Sequence, residues 1–264
     1  IAGARPNFMK IAPIIEAIQA KNNLGFNICF RLVHTGQHYD KNLSDTFFHE
    51  LNIPFPDINL EVKSGTQAEQ TSAIMIGFEK ELQENPCDLV MVVGDVTSTM
   101  ACAIVAKKAG VPVAHVEAGI RSGDMNMPEE INRLVTDRLS DLLFTPDRMS
   151  NENLCMEGID DSRIRFVGNI MIDTLEANRH KASILKMEDI IRNNLLFERK
   201  FNIPVENNFA VITLHRPSNV DKKKVFGSIV DFLLNEVSKD MPLIWPVHPR
   251  ARKQLESFGM WDQL

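Results

Sequence analysis

Ionisable side chains recur where the apolar runs of this chain stop. Gly94-Asp95 follows the run at 88–93, and Glu117 follows the run at 111–116. Arg5 and Lys10 flank the start of a helical pattern after Ile1-Ala2-Gly3, and His38 lies in the segment TGQHYD (35–40) behind another run. His215-Arg216 and His248 stand after two later runs. In an open parallel sheet, ligands bind outside the carboxyl ends of the strands. Carboxylates, cations and histidines delivered to one such edge can move protons on a polar ligand and hold its anionic part.

Each residue also has a plainer reading. Asp95 could cap the helix that starts near Thr97. Glu117, followed by Ala118-Gly119, has little room for solvent, so it must be paired or carry a raised pKa; a structural ion pair with Arg121 would meet that need. Glu129 lies in the first turn of a helix opened by Pro128, where a carboxylate suits the dipole, and Arg133 is four residues on, so the two could be a surface pair. Arg5 and Lys10 could be solvated charges, or with free N–H groups at a helix start they could hold an anion. His38 and His248 could be ordinary polar loop residues. No G-x-G-x-x-G or GxxxxGK[ST] run occurs, so neither NAD nor a P-loop is supported. No HExxH spacing occurs, and His34 and His38 flank a loop glycine, a weak geometry for a metal pair.

The elements that must position these residues alternate between short apolar runs and longer helical periods. Ile1-Ala2 reads as the end of a first strand. A helix follows over 6–21, and Pro13 inside it predicts a kink or a late start. Strands are expected at 28–34, 88–93, 111–116, 142–145 and 164–167, with helices at 43–51, 67–82, 97–109 and 128–139. This order predicts a parallel sheet with helices on both sides, closed at Gly168-Asn169. A charged helical stretch at 170–201 leads to a restart: strand 209–214, helix 225–237, strand 243–247 and a helix from 252. The expected domains are therefore 1–168 and 169–264, the second being the first part of another α/β unit. Two strands cannot close a sheet over a core, so further residues are expected beyond Leu264 and a few before Ile1.

Composition limits the partners. Apolar residues make up 44% and charged residues 24% of 264 residues, as in an ordinary globular protein. The formal net charge of −6, without a basic block, argues against nucleic acid. No apolar stretch is long enough to span a membrane and no signal peptide opens the chain, so the cytoplasm is expected. Cys29, Cys87, Cys102 and Cys155 form no CxxC pair and are expected as free thiols, the first three buried in or beside apolar runs.

Taken in order, GARPNFMKIAP (3–13), TGQHYD (35–40), VVGDVTST (92–99), HVEAGIRSGD (115–124), PEEINR (128–133), GN (168–169), LHRPSN (214–219) and PVHP (246–249) resemble the non-hydrolysing UDP-N-acetylglucosamine 2-epimerases. The resemblance covers nearly the whole chain. It implies two Rossmann-like domains arranged as in GT-B glycosyltransferases, the second incomplete here. It implies interconversion of UDP-GlcNAc and UDP-ManNAc by elimination and re-addition of UDP, with no redox cofactor and no metal, in a homodimer. Asp95, Glu117, Glu129 and His215 match the family's catalytic positions. Arg5, Lys10 and Arg133 match positions near the substrate, and His38 and His248, from their places after strands, are added as candidate substrate contacts. Three turns depart from the common text: Gly3-Ala4-Arg5-Pro6-Asn7, Gly94-Asp95-Val96-Thr97-Ser98 and His215-Arg216-Pro217-Ser218-Asn219. These bear on substrate choice, and 6-deoxy or uronic acid forms of a UDP-2-acetamido sugar are the alternatives. A GT-B glycosyltransferase would share the fold but has less use for several carboxylates around one sugar carbon.

Overall fold

The computed structural model describes residues 1–3, 5–36, 48, 50–195 and 209–264, with only the backbone of Arg5. The chain divides into two compact units, Ile1–Ala182 and Ser183–Leu264. Both are α/β with parallel strands, the Rossmann-like pattern of GT-B proteins.

In the first unit, helix α1 (Arg5–Asn23) is followed by β1 (Val33–His34) and β2 (Ile58–Asn59). Then α2 (Gln67–Glu84), β3 (Val90–Val93), α3 (Thr97–Lys108), β4 (Val113–Val116), α4 (Pro128–Leu139), β5 (Leu142–Thr145), α5 (Arg148–Met156), β6 (Ile164–Phe166) and α6 (Ile170–Ser183) follow in turn. β3, β4, β5 and β6 form one parallel sheet in that order. Ile1-Ala2 joins the two halves. The Ala2 N–H donates to Val33 O at 2.9 Å, Thr35 N–H returns to Ala2 O at 3.0 Å, and the Ile1 nitrogen donates to Met91 O at 2.8 Å. The strand order therefore reverses beside Ala2, between β1 and β3, and Gly3 lies at that switch point.

Two cores cover the two faces. Val90 and Val92 face Ile74, Phe78, Ala101 and Val105 from α2 and α3. Val93 and Val116 face Phe8, Ile11 and Ile15 from α1. This alternation of successive strand residues is the period of two that a doubly covered strand shows. α2 begins with a capping box, Thr66 and Glu69 each accepting from the other's backbone N–H.

Several expected elements are shorter in the structure. The ladder at 28–34 holds only Val33 and His34, and among the described residues no strand pairs with 28–32, where Ile28, Cys29 and Phe30 are exposed. Cys87 and Cys155 are also exposed; only Cys102 is buried, and all four are free thiols. The expected helix at 43–51 falls mostly outside the described residues, as does the end of the stretch at 170–201.

In the second unit α7 (Met187–Asn194) precedes β7 (Ala210–Val211), α8 (Pro217–Val220) and α9 (Lys223–Phe232), which runs on through a π-turn at Leu233–Val237 into α10 (Ser238–Asp240). β8 (Leu243–Ile244) pairs with β7, and α11 (Pro249–Ser257) follows. Its core is Val220, Phe226, Val230, Ala251 and Leu255 under the rings of Trp245 and Trp261. No described helix is long and apolar enough to cross a membrane.

α1 runs through Pro13 rather than starting after it. A proline has no N–H, so the carbonyl four residues back, Met9 O, loses its helical donor. The Thr174 hydroxyl from α6 donates to that carbonyl instead. The break in α1 is thus also the seat of α6. Thr174→Val should lower the unfolding free energy by about 1–3 kcal/mol, since it strands a carbonyl away from water. In a Pro13→Ala background, where residue 13 regains its N–H, the same change should cost clearly less. Urea titration of the four proteins checks this; equal costs in both backgrounds would refute it.

Candidate active site

Charged side chains gather at the switch point, among them Lys10, Asp95, Glu117 and Arg133. Gly3 N–H donates to Asn7 Oδ1 at 2.9 Å, and Asn7 Nδ2 donates to Val93 O at 3.0 Å, so the first turn of α1 is tied to the end of β3. A side chain at position 3 would meet Ser98 Oγ at 2.2 Å, which leaves only glycine there. From the next turn of α1, Lys10 reaches across to Glu117 at the end of β4 and pairs with it; the two side chains are 12% and 13% exposed. The pair passes over Gly94, where an added Cβ would lie 2.7 Å from Lys10 Nζ and 3.5 Å from Glu117 Oε2. Gly94 has φ +68, a left-handed conformation that favours glycine.

Glu117 itself has φ +72. For a residue with a side chain this costs on the order of 1–3 kcal/mol, and such strain collects at functional sites. The N–H groups of Glu117 and Ala118 both donate to Phe144 O at 3.0 Å, which turns the strand end sharply. The carboxylate is aimed at Lys10 rather than along the strand. The expected alternative, a Glu117–Arg121 pair, does not form. Arg121 instead pairs with Asp137 and, through two 2.7 Å bonds, with Glu157.

Asp95 does not cap α3. The residue at the cap position is Val96, and no side chain caps that helix. Asp95 Oδ2 accepts from Arg133 Nη2 at 2.5 Å, and its carbonyl accepts from Asn132 Nδ2 at 2.8 Å. Helix α4 thus grips Asp95 from two sides. Arg133 does not pair with Glu129 either. Its other nitrogen goes to Glu130 at 2.8 Å, three residues back on the same helix.

The adjacent glutamates have opposite fates. Glu130 is buried and accepts from Ser122 N, Ser122 Oγ, Gly123 N and Arg133 Nη1. Burial pushes its pKa up, but the backbone bonds from Ser122 and Gly123 and the Arg133 guanidinium outweigh it and hold it at about 2. Glu129 is half-buried and has no ion pair or hydrogen bond among the described residues. It is the uncommitted carboxylate of the group.

The remaining expected residues sit elsewhere. Arg5 opens α1, and His38 lies outside the described residues. In the second unit His215 and His248 are exposed at the ends of the two chain segments that follow β7 and β8. Their ring centroids are 5.7 Å apart, and His248 Nδ1 accepts from Arg250 N–H at 3.1 Å, which caps α11. No group of three or more metal-ligating side chains occurs among the described residues.

Residue-by-residue reading missed Asn7, Glu130 and the buried pair His115–Asp137, whose facing atoms are 2.6 Å apart. Glu130, Arg133 and Asp137 fall at i, i+3 and i+7, one face of a helix. A charged stripe of that kind reads as a solvated face, and here it faces the strand ends.

The Glu130 bonds have a pH consequence. Its pKa is lower folded than in an unfolded chain, so its contribution is complete above about pH 4.5 and is lost as pH falls toward about 2. Glu130→Gln should destabilise the protein at neutral pH and flatten its loss of stability through that window. Urea midpoints from neutral pH down to the acid limb check this; parallel curves for the two proteins would refute it.

Comparison with known proteins places this geometry in a family. The family model described as UDP-N-acetylglucosamine 2-epimerase matches residues 18–263. A UDP-N-acetylglucosamine 2-epimerase of Methanocaldococcus jannaschii is 40% identical, over 100% of this chain and 69% of the relative's length. A UDP-2,3-diacetamido-2,3-dideoxy-D-glucuronate 2-epimerase of Pseudomonas aeruginosa is 37% identical over 98% of this chain and 69% of its own. The crystal structure of the M. jannaschii UDP-GlcNAc 2-epimerase with UDP-GlcNAc and UDP superposes with a TM-score of 0.83, over 100% of this chain and 69% of that one. The Neisseria meningitidis UDP-GlcNAc 2-epimerase bound to UDP-GlcNAc gives 0.81 at 28% identity, over 97% and 67%. With a charged switch point on a Rossmann-like sheet and these matches along its length, the chain belongs to the UDP-N-acetylglucosamine 2-epimerase family, whose members are enzymes acting on UDP-sugars.

Proposed function

We propose that the protein is a non-hydrolysing 2-epimerase interconverting UDP-GlcNAc and UDP-ManNAc. The observation that carries this reading is the division of charge at the switch point. Glu117 is neutralised by Lys10, Asp95 is held by Arg133, and Glu129 has no ion pair among the described residues. Inverting C2 needs a proton removed from one face and returned to the other, which asks for more than one carboxylate.

A C2–H beside an acetamido group is not acidic, and simple deprotonation costs too much. Elimination lowers that cost. The C1–O bond breaks and its electron pair leaves with UDP, giving C1 oxocarbenium character. The C2–H pair then becomes the C1–C2 double bond of a 2-acetamidoglucal, and the proton passes to a carboxylate. Return of a proton to the opposite face of C2, with re-addition of UDP at C1, completes the inversion. In this scheme Asp95, Glu117 and Glu129 share the proton transfers. Lys10, Arg5 and Arg133 stabilise negative charge, and His215 assists the departing diphosphate. His38 and His248 contact the substrate. The scheme requires neither a redox cofactor nor a metal. A cytoplasmic homodimer is the setting proposed for it.

A second reading keeps the chemistry and changes the sugar to a 6-deoxy or uronic acid form. The Pseudomonas relative supports it, since its name specifies a uronate and its identity to this chain is close to that of the UDP-GlcNAc relatives.

Incubation in D2O with UDP-GlcNAc should put deuterium at C2 as UDP-ManNAc appears, both followed by NMR. Faster exchange with a UDP-2-acetamido uronate would favour the second reading. Glu129→Gln should slow exchange by about 100- to 10,000-fold, the range for loss of a general acid or base. Its urea midpoint should stay unchanged, since no ion pair is lost. An absence of exchange with every UDP-2-acetamido sugar would overturn the proposal.

A further inference from the structure

His115 lies in the middle of β4, with its ring wholly shielded from solvent. Both ring nitrogens face oxygen. Nδ1 is 2.6 Å from Asp137 Oδ1, and Nε2 is 2.8 Å from the carbonyl oxygen of Gly94. A carbonyl oxygen can only accept, so Nε2 carries a hydrogen. The proton between Nδ1 and Asp137 belongs to the imidazole if Asp137 is ionised, and its other contacts favour that form. Asp137 Oδ2 accepts from Arg121 Nη1 at 2.7 Å and from Gly119 N–H at 3.0 Å. Burial works against the charge, but His115 and Arg121 together hold the Asp137 carboxyl below the usual range.

We propose that His115 is a positioning residue, anchored by Asp137, that donates to the Gly94 carbonyl and so fixes the placement of Asp95. This rests on the proposed 2-epimerase chemistry for its kinetic consequence but not for its hydrogen bonds. Gly94 O belongs to the peptide plane that leads into Asp95. That plane is held from below by His115, and the residue after it is held by Asn132 and Arg133. A ring held at both nitrogens cannot turn, which suits a left-handed turn that must not relax. Asp137 is itself fixed by Arg121, which also pairs with Glu157.

Other charged groups near the ring do not compete for these bonds. The flanking strands, Val90–Val93 and Leu142–Thr145, carry no titratable side chain. On α3 the only charged residues are Lys107 and Lys108 in the last turn, and Lys107 is paired with Asp141. From α4, Asp137 is the partner itself, and Glu130 and Arg133 are paired with each other. Above the Gly94 turn, Lys10 and Glu117 neutralise one another.

Two measurements on the whole protein test the proposal. In protein labelled with 15N-histidine, the His115 ring should show a hydrogen on Nε2 that is protected from exchange with solvent. An Nε2 without a hydrogen, or one that exchanges as freely as that of an exposed histidine, would overturn the donor assignment. The second measurement is the kinetics of C2 exchange. His115→Phe keeps the ring volume and removes both donors; it should lower kcat by about 100-fold with little change in KM, the scale expected when a reacting group is misplaced by about 1 Å. His115→Gln, which keeps an N–H near the position of Nε2, should recover part of that loss. Unchanged kcat in the folded Phe variant, or no advantage of Gln over Phe, would overturn the positioning role. If the Phe variant does not fold, the Gln variant decides: kcat and KM falling together would count against it, kcat falling alone would support it. Wild-type protein that shows the protected Nε2 hydrogen but no C2 exchange with any UDP-2-acetamido sugar would refute the epimerase reading and leave the donor assignment standing.

Discussion

The ion pair between Lys10 and Glu117 holds the switch point together. It joins the second turn of α1 to the end of β4 across the Gly94 turn, linking residues far apart in sequence. The consequences run in both directions. The left-handed turn beneath the pair favours glycine at position 94, and the strained backbone of Glu117 is what aims its carboxylate at Lys10. Two mostly shielded charges would be costly alone; as a pair each meets the need of the other. Asn7 and Gly3 set the entry of α1 so that Lys10 arrives at the right height.

Helix α4 supplies the second constraint. Its face of Glu130, Arg133 and Asp137 is committed to holding the loop at 122–123, Asp95 and His115 in turn. Each bond on this face meets a donor or acceptor that the sheet end would otherwise leave unmatched. Glu129, one residue off the stripe, is left uncommitted. The helix thus separates structural carboxylates from available ones by a rotation of one residue, about 100° around its axis. That separation is why two adjacent glutamates of the same type can have different work.

The family assignment and the geometry constrain each other. Relatives that share this text along the chain are named for different UDP-sugars, a glucosamine derivative and a diacetamido uronate. The departures at the three turns, which begin at Gly3, Gly94 and His215, lie beside the proposed proton-moving groups and leave their charges intact.

Much of this was legible in the residues themselves. The apolar runs and their lengths set the order of strands and helices, because a strand covered on both faces must be apolar throughout and an amphipathic helix must repeat every three or four residues. The loop residues at the strand ends followed from that order, and Pro128–Leu139 and Leu142–Thr145 appear with the expected bounds. What the sequence could not decide was pairing. Glu117 with Lys10 rather than Arg121, Arg133 with Asp95 and Glu130 rather than Glu129, and Thr174 on the carbonyl that Pro13 leaves open all depend on which elements meet in space. Local spacing ranks neighbours on one helix or loop, whereas a charge settles on the partner that the packed sheet brings within reach. The amino acids determined which groups stand at the edge of the sheet; only the tertiary structure decided which of them are bound to one another and that Glu129 has no bond among the described residues.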